Sequence, residues 1–555
     1  MKKLLYPIVF TLTTFLILYS CSAEEEDTTP PPSVQQPTPE PEPEPEPPAT
    51  TNTFYVSVNY GEEIEGGNLS IVGNEYEEGT DLIIVATPDD GYYFYAWKNV
   101  TVTGVDSSGN EIWNSHSSFG SFNNEVQITV NNKFNIIPIF LEKSPINQEK
   151  SWDFQGFVTT GWSGLGYDLL IYDFEEVVVK NTNRALNKII QAGGNSILID
   201  YHIQHRGGKN SSDISIENQQ QFKQLIPIAK MAEKLGLSVT IKTLLLTHGN
   251  TENYDWSEIT PSSPSTFFQN YLSALEETAN LINEHNLKID KWSLTNELVS
   301  LTTNEDYSEE WINIISRIKS LVDIDLGFNV RATNTPYVAS RSCSDNNVQE
   351  YTQVPDEIYD ALDFIGLSIY KASFWSGAKT DQSVLSEQFF KESWTNGPYI
   401  ELNFDNNTCG DCIYDDCRYS NGINYVNEIN SFISSKNKDV YVSEFGAPPY
   451  KYLSHPDWSD SDLNVEMDLE LQKEYFMATL DVFKNSIIGL KGVYGYMFPL
   501  QDKLLTEEEV SAESQYDWFI DELWLLKSFG PGNPYEWNIS DKPALEAFRQ
   551  YYGGQ

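Results

Sequence analysis

Two regimes of hydrophobic patterning divide the chain. Between Thr53 and Leu141, short runs alternate apolar and polar residues, as in 54–58, 82–85 and 126–130, and turns rich in Gly, Asn and Asp separate them. Alternation with a period of two is typical of half-buried β-strands. The pattern therefore predicts a small all-β module over residues 53–142.

The second regime begins at Trp152, where short β-branched runs alternate with amphipathic stretches such as 222–235 and 267–285. Strands that alternate with helices favour βα units and a parallel sheet. Eight such units predict an α/β domain over residues 150–555, a (β/α)8 TIM barrel. The predicted barrel strands are 156–160, 196–200, 238–242, 291–295, 326–330, 364–370, 440–444 and 493–497.

Within the β module, residues 76–97 resemble a small β repeat of bacterial cell-surface proteins. Its aromatic residues Tyr92, Phe94 and Trp97 could form a platform on which sugars stack. We favour the alternative that they form the module's core and that the module is a spacer, since large aromatic residues dominate small cores.

The first fifty residues show no pattern of a folded domain. Two lysines precede an apolar run that ends at Leu18, and Cys21 follows a small residue. This segment resembles a bacterial lipoprotein signal, which implies that residues 1–20 are removed and that Cys21 is lipidated. An ordinary secretory signal or a short anchor are the alternatives, although the run is short for a membrane span. Residues 21–52 are acidic and rich in Pro and Glu, which predicts an extended linker.

The acidic residues after Cys21 look like the export signal of Bacteroidetes surface lipoproteins. This resemblance implies an outer-membrane lipoprotein that is exposed at the cell surface, attached to the membrane through its lipid anchor only. The alternative is a merely solvated run of charge.

The chain carries a formal net charge of −46. Residues 21–50 hold eight acidic and no basic residues and the signal holds two lysines, so about forty of these charges belong to the folded part. Such a surface repels phosphate backbones, which argues against nucleic-acid binding and favours a neutral or cationic partner.

Candidate chemistry lies at the ends of two predicted barrel strands. Strand four ends in Asn296 and Glu297, and strand seven ends in Glu444. Catalytic residues of such barrels lie at the carboxyl ends of strands. Asn-Glu occurs seven times in the chain, but only this copy closes a strand that follows a long helix. Two carboxylates across one barrel mouth are what a retaining glycosidase needs, about 5 Å apart.

On these residues, the predicted barrel domain resembles clan A of the retaining β-glycoside hydrolases. The resemblance implies that Glu297 is the acid/base and Glu444 the nucleophile. It also implies that Asn296 binds the sugar 2-hydroxyl and that Tyr370, which ends strand six, touches the nucleophile.

Within the clan, two short segments are most similar to family 113 mannanases: Lys242-Thr243 leading to His248, and residues 361–366. Strand eight departs from the clan, which usually has a tryptophan there as a floor for the sugar. Phe498 or Tyr496 would take that role here, or the subsite differs.

Several further residues could contact sugar. Aromatic faces stack on sugars, so we expect such contacts from Trp162, Trp256 and Trp375, with loop packing as the alternative. We expect hydrogen bonds to sugar from His202 and His248.

A zinc pair of His202 with His205 is less favoured because no third ligand is apparent, and we expect neither metal nor cofactor. Asp200 could orient a partner, but we expect it to pair with a barrel cation.

Four cysteines remain besides Cys21. In an oxidising compartment they favour two disulfides over a redox or zinc site, with three connectivities open. The candidates are Cys343, Cys409, Cys412 and Cys417.

Together these features predict a monomeric, endo-acting retaining β-glycoside hydrolase that degrades a neutral polysaccharide. β-Mannan is the favoured substrate, and β-glucan or xylan are the alternatives. A non-catalytic glycan-binding lipoprotein, or a purely structural surface protein, would share the lipoprotein signal and the aromatic residues. Neither of them requires both carboxylates.

Overall fold

The computed structural model describes most of the β module and of the barrel. The residues described are 52–105, 111–114, 121–146, 150–160, 176–215, 220–246, 256–332, 350–369, 386–396, 424–447, 467–500 and 539–554. The predicted signal, Cys21 and nearly all of the predicted linker lie outside these ranges. Within them, no helix combines the length and apolar character that crossing a membrane requires.

The N-terminal module is all-β, as predicted. In strand β4, Leu82, Ile84 and Ala86 are buried while Ile83 is exposed, which is the burial that period-two alternation predicts. The strands form a five-stranded sheet of order β3-β1-β8-β5-β6 and a smaller sheet of order β2-β4-β7. They are β1 (Thr53–Val58), β2 (Gly67–Leu69), β3 (Asn74–Glu77), β4 (Asp81–Pro88), β5 (Tyr92–Val105), β6 (Glu111–Asn114), β7 (Glu125–Thr129) and β8 (Phe134–Glu142).

Between Tyr93 and Trp97, strand β5 buries both of its faces. Phe94 and Trp97 lie in the module's own core, which confirms the packing role predicted for them, and half-buried Tyr92 packs against that core. A register shift against β8 between Phe94 and Ala96 brings Trp97 to the face of Phe94. Tyr95 lies on the other face, as alternation from Phe94 predicts. That face, which also carries Tyr93, belongs to the main hydrophobic core shared with the barrel helices. The module is therefore packed onto the barrel.

The second domain is a closed parallel barrel, as the sequence predicted. Each of the eight predicted strands overlaps an observed one, and β9 pairs with both β10 and β17, which closes the sheet. The strands are β9 (Phe154–Thr160), β10 (Ser196–Arg206), β12 (Ser238–Leu246), β13 (Lys291–Asn296), β14 (Asp325–Arg331), β15 (Phe364–Ile369), β16 (Asp439–Phe445) and β17 (Leu490–Pro499), with the short β11 (Asp213–Ser215) added antiparallel to β10.

Helices cover the outside of the barrel. The last of them, α11, seals the seam between the first and last barrel strands, because the hydroxyl of Tyr552 donates to the carbonyls of Gly156 and Val493. The helices are α1 (Glu176–Gln191), α2 (Gln220–Leu235), α3 (Pro264–Glu284), α4 (Val299–Thr302), α5 (Ser308–Lys319), α6 (Glu350–Gln353), α7 (Asp356–Ala361), α8 (Glu387–Asn396), α9 (Tyr425–Lys436), α10 (Leu469–Asn485) and α11 (Ala544–Tyr552).

Side chains fill the barrel at its amino-terminal end. Lys291 lies 4.7 Å above the ring of Phe154 and within 5.5 Å of two further rings, and it pairs with Asp325 at 2.8 Å. One layer higher, Val158, Leu198 and Tyr494 pack together. Because this end is filled, substrate can reach the barrel interior only from the carboxyl ends of the strands.

The contact between module and barrel leads to a stability prediction. The buried hydroxyl of Tyr93 donates to Asn183 Oδ1 at 2.9 Å, and Asn183 Nδ2 donates to the carbonyl of Glu142 at 2.9 Å. Tyr93→Phe leaves the Asn183 acceptor without this donor, which costs about 1–3 kcal/mol. Urea unfolding followed by fluorescence should show this loss. The matched variant Tyr55→Phe, on the exposed face of the same module, should unfold like the wild type, and equal midpoints for the two variants would contradict the prediction.

Candidate active site

Both candidate carboxylates lie at the carboxyl ends of barrel strands. Glu444 is the second-last residue of β16, and Glu297 directly follows β13. Both are buried, with 5% and 8% of their surfaces exposed. Since a buried carboxylate is stable only when it is paired and hydrogen-bonded, their partners define the site.

One-residue register shifts point these side chains inward. Leu367 of β15 pairs with Val442, but the next residue, Ser368, pairs with Glu444, so β16 has an extra residue at this point. The side chains of Ser443 and Glu444 consequently both reach the barrel interior, although they are neighbours in sequence. Bulges of this kind are common beside active sites, where they redirect a side chain.

Three donors converge on one oxygen of Glu444. Oε1 accepts from Lys242 Nζ at 3.0 Å, from Asn329 Nδ2 at 3.0 Å and from Ser368 Oγ at 2.6 Å. These donors come from β12, β14 and β15. Hydrogen bonds to the charged form of a carboxylate favour that form, so the site holds Glu444 as an oriented anion, which is the state a nucleophile requires.

Lys242 is shared between two carboxylates. Its Nζ lies 3.0 Å from Asp200 Oδ1 as well as 3.0 Å from Glu444, and its side chain is 1% exposed. Burial by itself would lower the pKa of Lys242, but Asp200 and Glu444 outweigh burial and raise it above its usual value. Burial also raises the pKa of Asp200 to about 6, although Lys242 opposes this. The barrel cation expected beside Asp200 is thus Lys242.

Glu297 sits on an unusual backbone. Its φ of 50° places it in the left-handed region, which non-glycine residues rarely adopt, and its N–H donates to the carbonyl of Asn329 at 2.9 Å. Arg331 binds the side chain of Glu297: its Nε and Nη2 donate to Glu297 Oε2 at 3.1 and 2.8 Å. Strained positions of this type cluster at active sites, and here the contacts with Asn329 and Arg331 hold both the backbone and the carboxyl in place.

Asn329 connects the two ends of the site. Its Nδ2 donates to Glu444 and to Asn296 Oδ1, and its Oδ1 accepts from Ser443. A single fully buried amide therefore bridges Glu444 to the residue that precedes Glu297. Asn296 lies where the sequence placed it, buried beside both carboxylates.

A further carboxyl group lies behind Arg331. Glu350, on α6, accepts from the backbone N–H of Arg331 at 2.8 Å and from the hydroxyl of Thr302. It is fully buried, and burial raises its pKa to about 7; the two hydrogen bonds oppose this shift and the charge of Glu297 adds to it. Glu350 thus fixes the backbone that carries Arg331.

The predicted sugar contacts have different outcomes. His202 lies two residues beyond Asp200 on β10 and so on the same, inward face of that strand. Trp256 is half-buried in a short 3-10 turn, Trp256–Glu258, and packs against the main core. His248, Tyr370, Trp162, Trp375 and the cysteines Cys343, Cys409, Cys412 and Cys417 lie outside the described residues.

The role predicted for Phe498 is wrong. Its ring is fully buried and lies 5.0 Å from that of Phe157, within the core between barrel and helices. The reason is a register shift between β17 and β9: Tyr496 pairs with Val158, but Phe498 pairs with Thr159. The extra residue turns Phe498 to the outer face of the barrel, where it cannot stack on a sugar. The alternative named for it, Tyr496, is half-buried and packs against the interior cluster.

The prediction missed three residues that hold the carboxylates. They are Asn329 and Arg331 on β14 and Ser368 on β15. A signal for the first two was present, since alternate residues of a strand share a face and an Asn and an Arg at alternate positions in a strand flanked by apolar residues point polar groups inward. The partner of each could not be read from the sequence.

A comparison with family models agrees with the β module. A family model described as a divergent InlB B-repeat domain matches residues 57–115, in line with the β repeat predicted there. A search of curated protein sequences gave no significant match.

Several solved structures are similar to this chain. One is a family 113 β-mannanase from Alicyclobacillus acidocaldarius, with 14% identity, 72% of this chain and 97% of that chain covered, and a TM-score of 0.45. Another is an endo-1,4-β-D-mannanase from Thermotoga petrophila, with 12% identity, coverage of 72% and 99%, and a TM-score of 0.40. A β-D-glucuronidase from Dictyoglomus thermophilum follows, with 13% identity, coverage of 90% and 69%, and a TM-score of 0.37.

The buried Glu350 predicts a pH-dependent stability. Its pKa of about 7 in the folded chain exceeds the ordinary 4.5, so the stability it contributes is present below pH 4.5 and is lost as the pH rises through 7. Between pH 5 and 8 this amounts to about 2 kcal/mol. Glu350→Gln should therefore show a smaller loss of unfolding free energy over that range, measured by urea titration.

The control for this measurement is Glu357→Gln, which alters an exposed glutamate on the adjacent α7. It should retain the wild-type dependence. Identical pH slopes for Glu350→Gln and the wild type would contradict the assignment.

Proposed function

We propose that the chain is a retaining glycoside hydrolase that cleaves a neutral β-linked polysaccharide. The observation that carries this proposal is the pair of buried carboxylates at the ends of β13 and β16, joined through Asn329 and each held by its own basic side chain. Two positioned carboxyl groups at one barrel mouth are the machinery of glycosidic hydrolysis.

The two residues take different roles because their surroundings differ. Glu444, held as an anion by three donors, attacks the anomeric carbon, and Glu297 gives its proton to the departing glycosidic oxygen. The product of this step is a glycosyl ester on Glu444. Water then attacks the same carbon, gives its proton to Glu297 and releases Glu444 as a carboxylate.

We propose that Asn296 binds the substrate beside this bond. In the proposed roles its amide meets the sugar 2-hydroxyl, a contact that strengthens as charge develops at the anomeric carbon. Asn329 Nδ2 donates to Asn296 Oδ1, which orients the amide so that its own N–H groups point elsewhere. His202, on the inward face of β10, is our candidate for a further hydrogen bond to sugar, and half-buried Trp256 for a stacking contact.

For the substrate we propose β-mannan, with β-glucan and xylan as alternatives. Support comes from the segments at Lys242–Thr243 and 361–366, which resemble family 113 mannanases, and from the acidity of the chain, which disfavours anionic polymers. We also propose that the enzyme acts at the cell surface, anchored through a lipid on Cys21, where a polymer too large to enter the cell is accessible.

A polysaccharide panel tests the function. Purified chain incubated with β-mannan, β-glucan and xylan should release reducing ends from one of them, and Glu444→Gln should lower that rate at least about 10³-fold because the residual rate lacks a nucleophile. The control Glu305→Gln, an exposed glutamate downstream of Glu297, should be fully active. Binding to a glycan without any release of reducing ends would instead identify a glycan-binding protein.

A second experiment separates the two carboxylates. Glu297→Ala should still react with a 2,4-dinitrophenyl β-glycoside, whose leaving group needs no proton, and then stall as the glycosyl ester because water lacks its base. Added azide needs no base and should restore turnover, with a glycosyl azide of retained configuration as product. Failure of azide to accelerate this variant, or an azide product of inverted configuration, would refute the assigned roles.

A further inference from the structure

A second carboxylate shares the lysine that holds the nucleophile. Asp200 lies on β10 and Glu444 on β16, and Lys242 Nζ contacts each at 3.0 Å. The three side chains are 3%, 7% and 1% exposed, so water compensates none of these charges. The catalytic scheme described above uses Glu444 and gives Asp200 no task.

The change of charge during the reaction points to a role for Asp200. In the resting site, two carboxylates and one ammonium carry a net charge of −1. When Glu444 forms a glycosyl ester its charge disappears, and Lys242 would then be a buried ammonium facing an uncharged group. An uncompensated buried charge is strongly destabilising. With Asp200 present, the intermediate instead retains a closed, neutral ion pair at 3.0 Å.

We propose that Asp200 is the counter-ion of Lys242 in the covalent intermediate, and that the pair sets the balance between formation and hydrolysis of the glycosyl ester. This inference rests on the proposed function. Asp200 and Lys242 act through Glu444 and are positioning residues, since neither is proposed to touch the reacting bond.

The two members of the pair should act on opposite steps. Without Asp200, ester formation leaves the Lys242 ammonium without a counter-ion, so the first step slows. Hydrolysis restores the ion pair with Glu444 and is therefore not slowed. Without Lys242, the Glu444 carboxylate of the resting site loses its cation, and the pKa of Asp200 rises further because Lys242 no longer lowers it. Ester formation removes the uncompensated Glu444 charge and hydrolysis recreates it, so the intermediate accumulates.

The surroundings of the pair support this assignment. The pKa of Asp200 is raised to about 6, chiefly by burial, with Lys242 opposing and Glu444 adding to the shift. Esterification of Glu444 removes the negative charge that repels Asp200. Lys242 then pairs with Asp200 alone. The pair thus tightens at the moment when Lys242 loses its other partner.

Pre-steady-state kinetics test the proposal. Asp200→Asn and Lys242→Met are mixed with the 2,4-dinitrophenyl β-glycosides of mannobiose, cellobiose and xylobiose, and dinitrophenol release and intact mass are followed over time. For Asp200→Asn we expect ester formation to slow at least about tenfold, the effect of one pKa unit of lost compensation, with no burst and no mass adduct. For Lys242→Met we expect a burst that approaches one equivalent and an adduct on the enzyme.

Two further variants are matched controls. Asp325→Asn breaks a second ion pair with a buried lysine, Lys291–Asp325, at the filled end of the barrel, and should leave the ratio of the two rates at the wild-type value. Asp200→Asn/Lys242→Met keeps the net charge of −1 that the resting site has in the wild type, but without a buried cation; if Lys242→Met does not fold, this double variant should still accumulate adduct relative to Asp200→Asn.

The outcomes are distinguishable. If Asp200→Asn and Lys242→Met slow both steps by the same factor, or if Asp200→Asn behaves like Asp325→Asn, the pair is merely structural and the inference is overturned. If the wild type releases no dinitrophenol from any of the three glycosides, the proposed function fails, and the inference with it.

Discussion

The burial of Glu444 is the constraint on which the site depends. A carboxylate in a closed barrel loses its hydration, and the loss is tolerated only when protein donors replace the water. No single strand can supply them, because side chains on one strand are spaced too far apart to converge on one oxygen. Glu444 draws its donors from β12, β14 and β15, so its charged state requires the complete barrel.

Much of the architecture could be predicted from the sequence because it follows from periodicity. The eight barrel strands and the all-β module arise from repeats of hydrophobic pattern, and the positions of Glu297 and Glu444 follow from where two of those strands end. Asp200 was expected to pair with a barrel cation on the same basis, and Lys242 is that cation. Statements of this type need only local sequence and the rule that strand ends converge at the mouth.

The remaining features depend on irregularities that period-two reasoning does not contain. One extra residue turns Phe498 outward, against prediction, whereas a similar extra residue on β16 brings both Ser443 and Glu444 inside. The same holds for Trp97 on β5, which lies in the module's core although simple alternation from Phe94 would place it on the opposite face. Bulges depend on how neighbouring strands fit together, so a residue's face past a bulge cannot be read from its own strand. The contacts of Asn329 could not be predicted for a related reason, because predicting them requires knowledge of which strands are adjacent.

The charges of the site also bear on which sugar it can accept. Glu297, Glu444, Asp200 and Glu350 face two cations, Lys242 and Arg331. With Glu297 protonated, as its proposed role as acid requires, and the other five groups ionised, the site carries a net charge of −1. The raised pKa values of Asp200, about 6, and Glu350, about 7, reduce this excess near neutral pH without reversing it. A negative site stabilises the positive charge that develops at the anomeric carbon in an oxocarbenium-like transition state. The same field repels a carboxylate on the substrate. A chain of uronic acids would therefore bind weakly, although its transition state would be stabilised. A neutral sugar escapes this conflict, which is a second argument for the neutral polysaccharide that we propose as substrate.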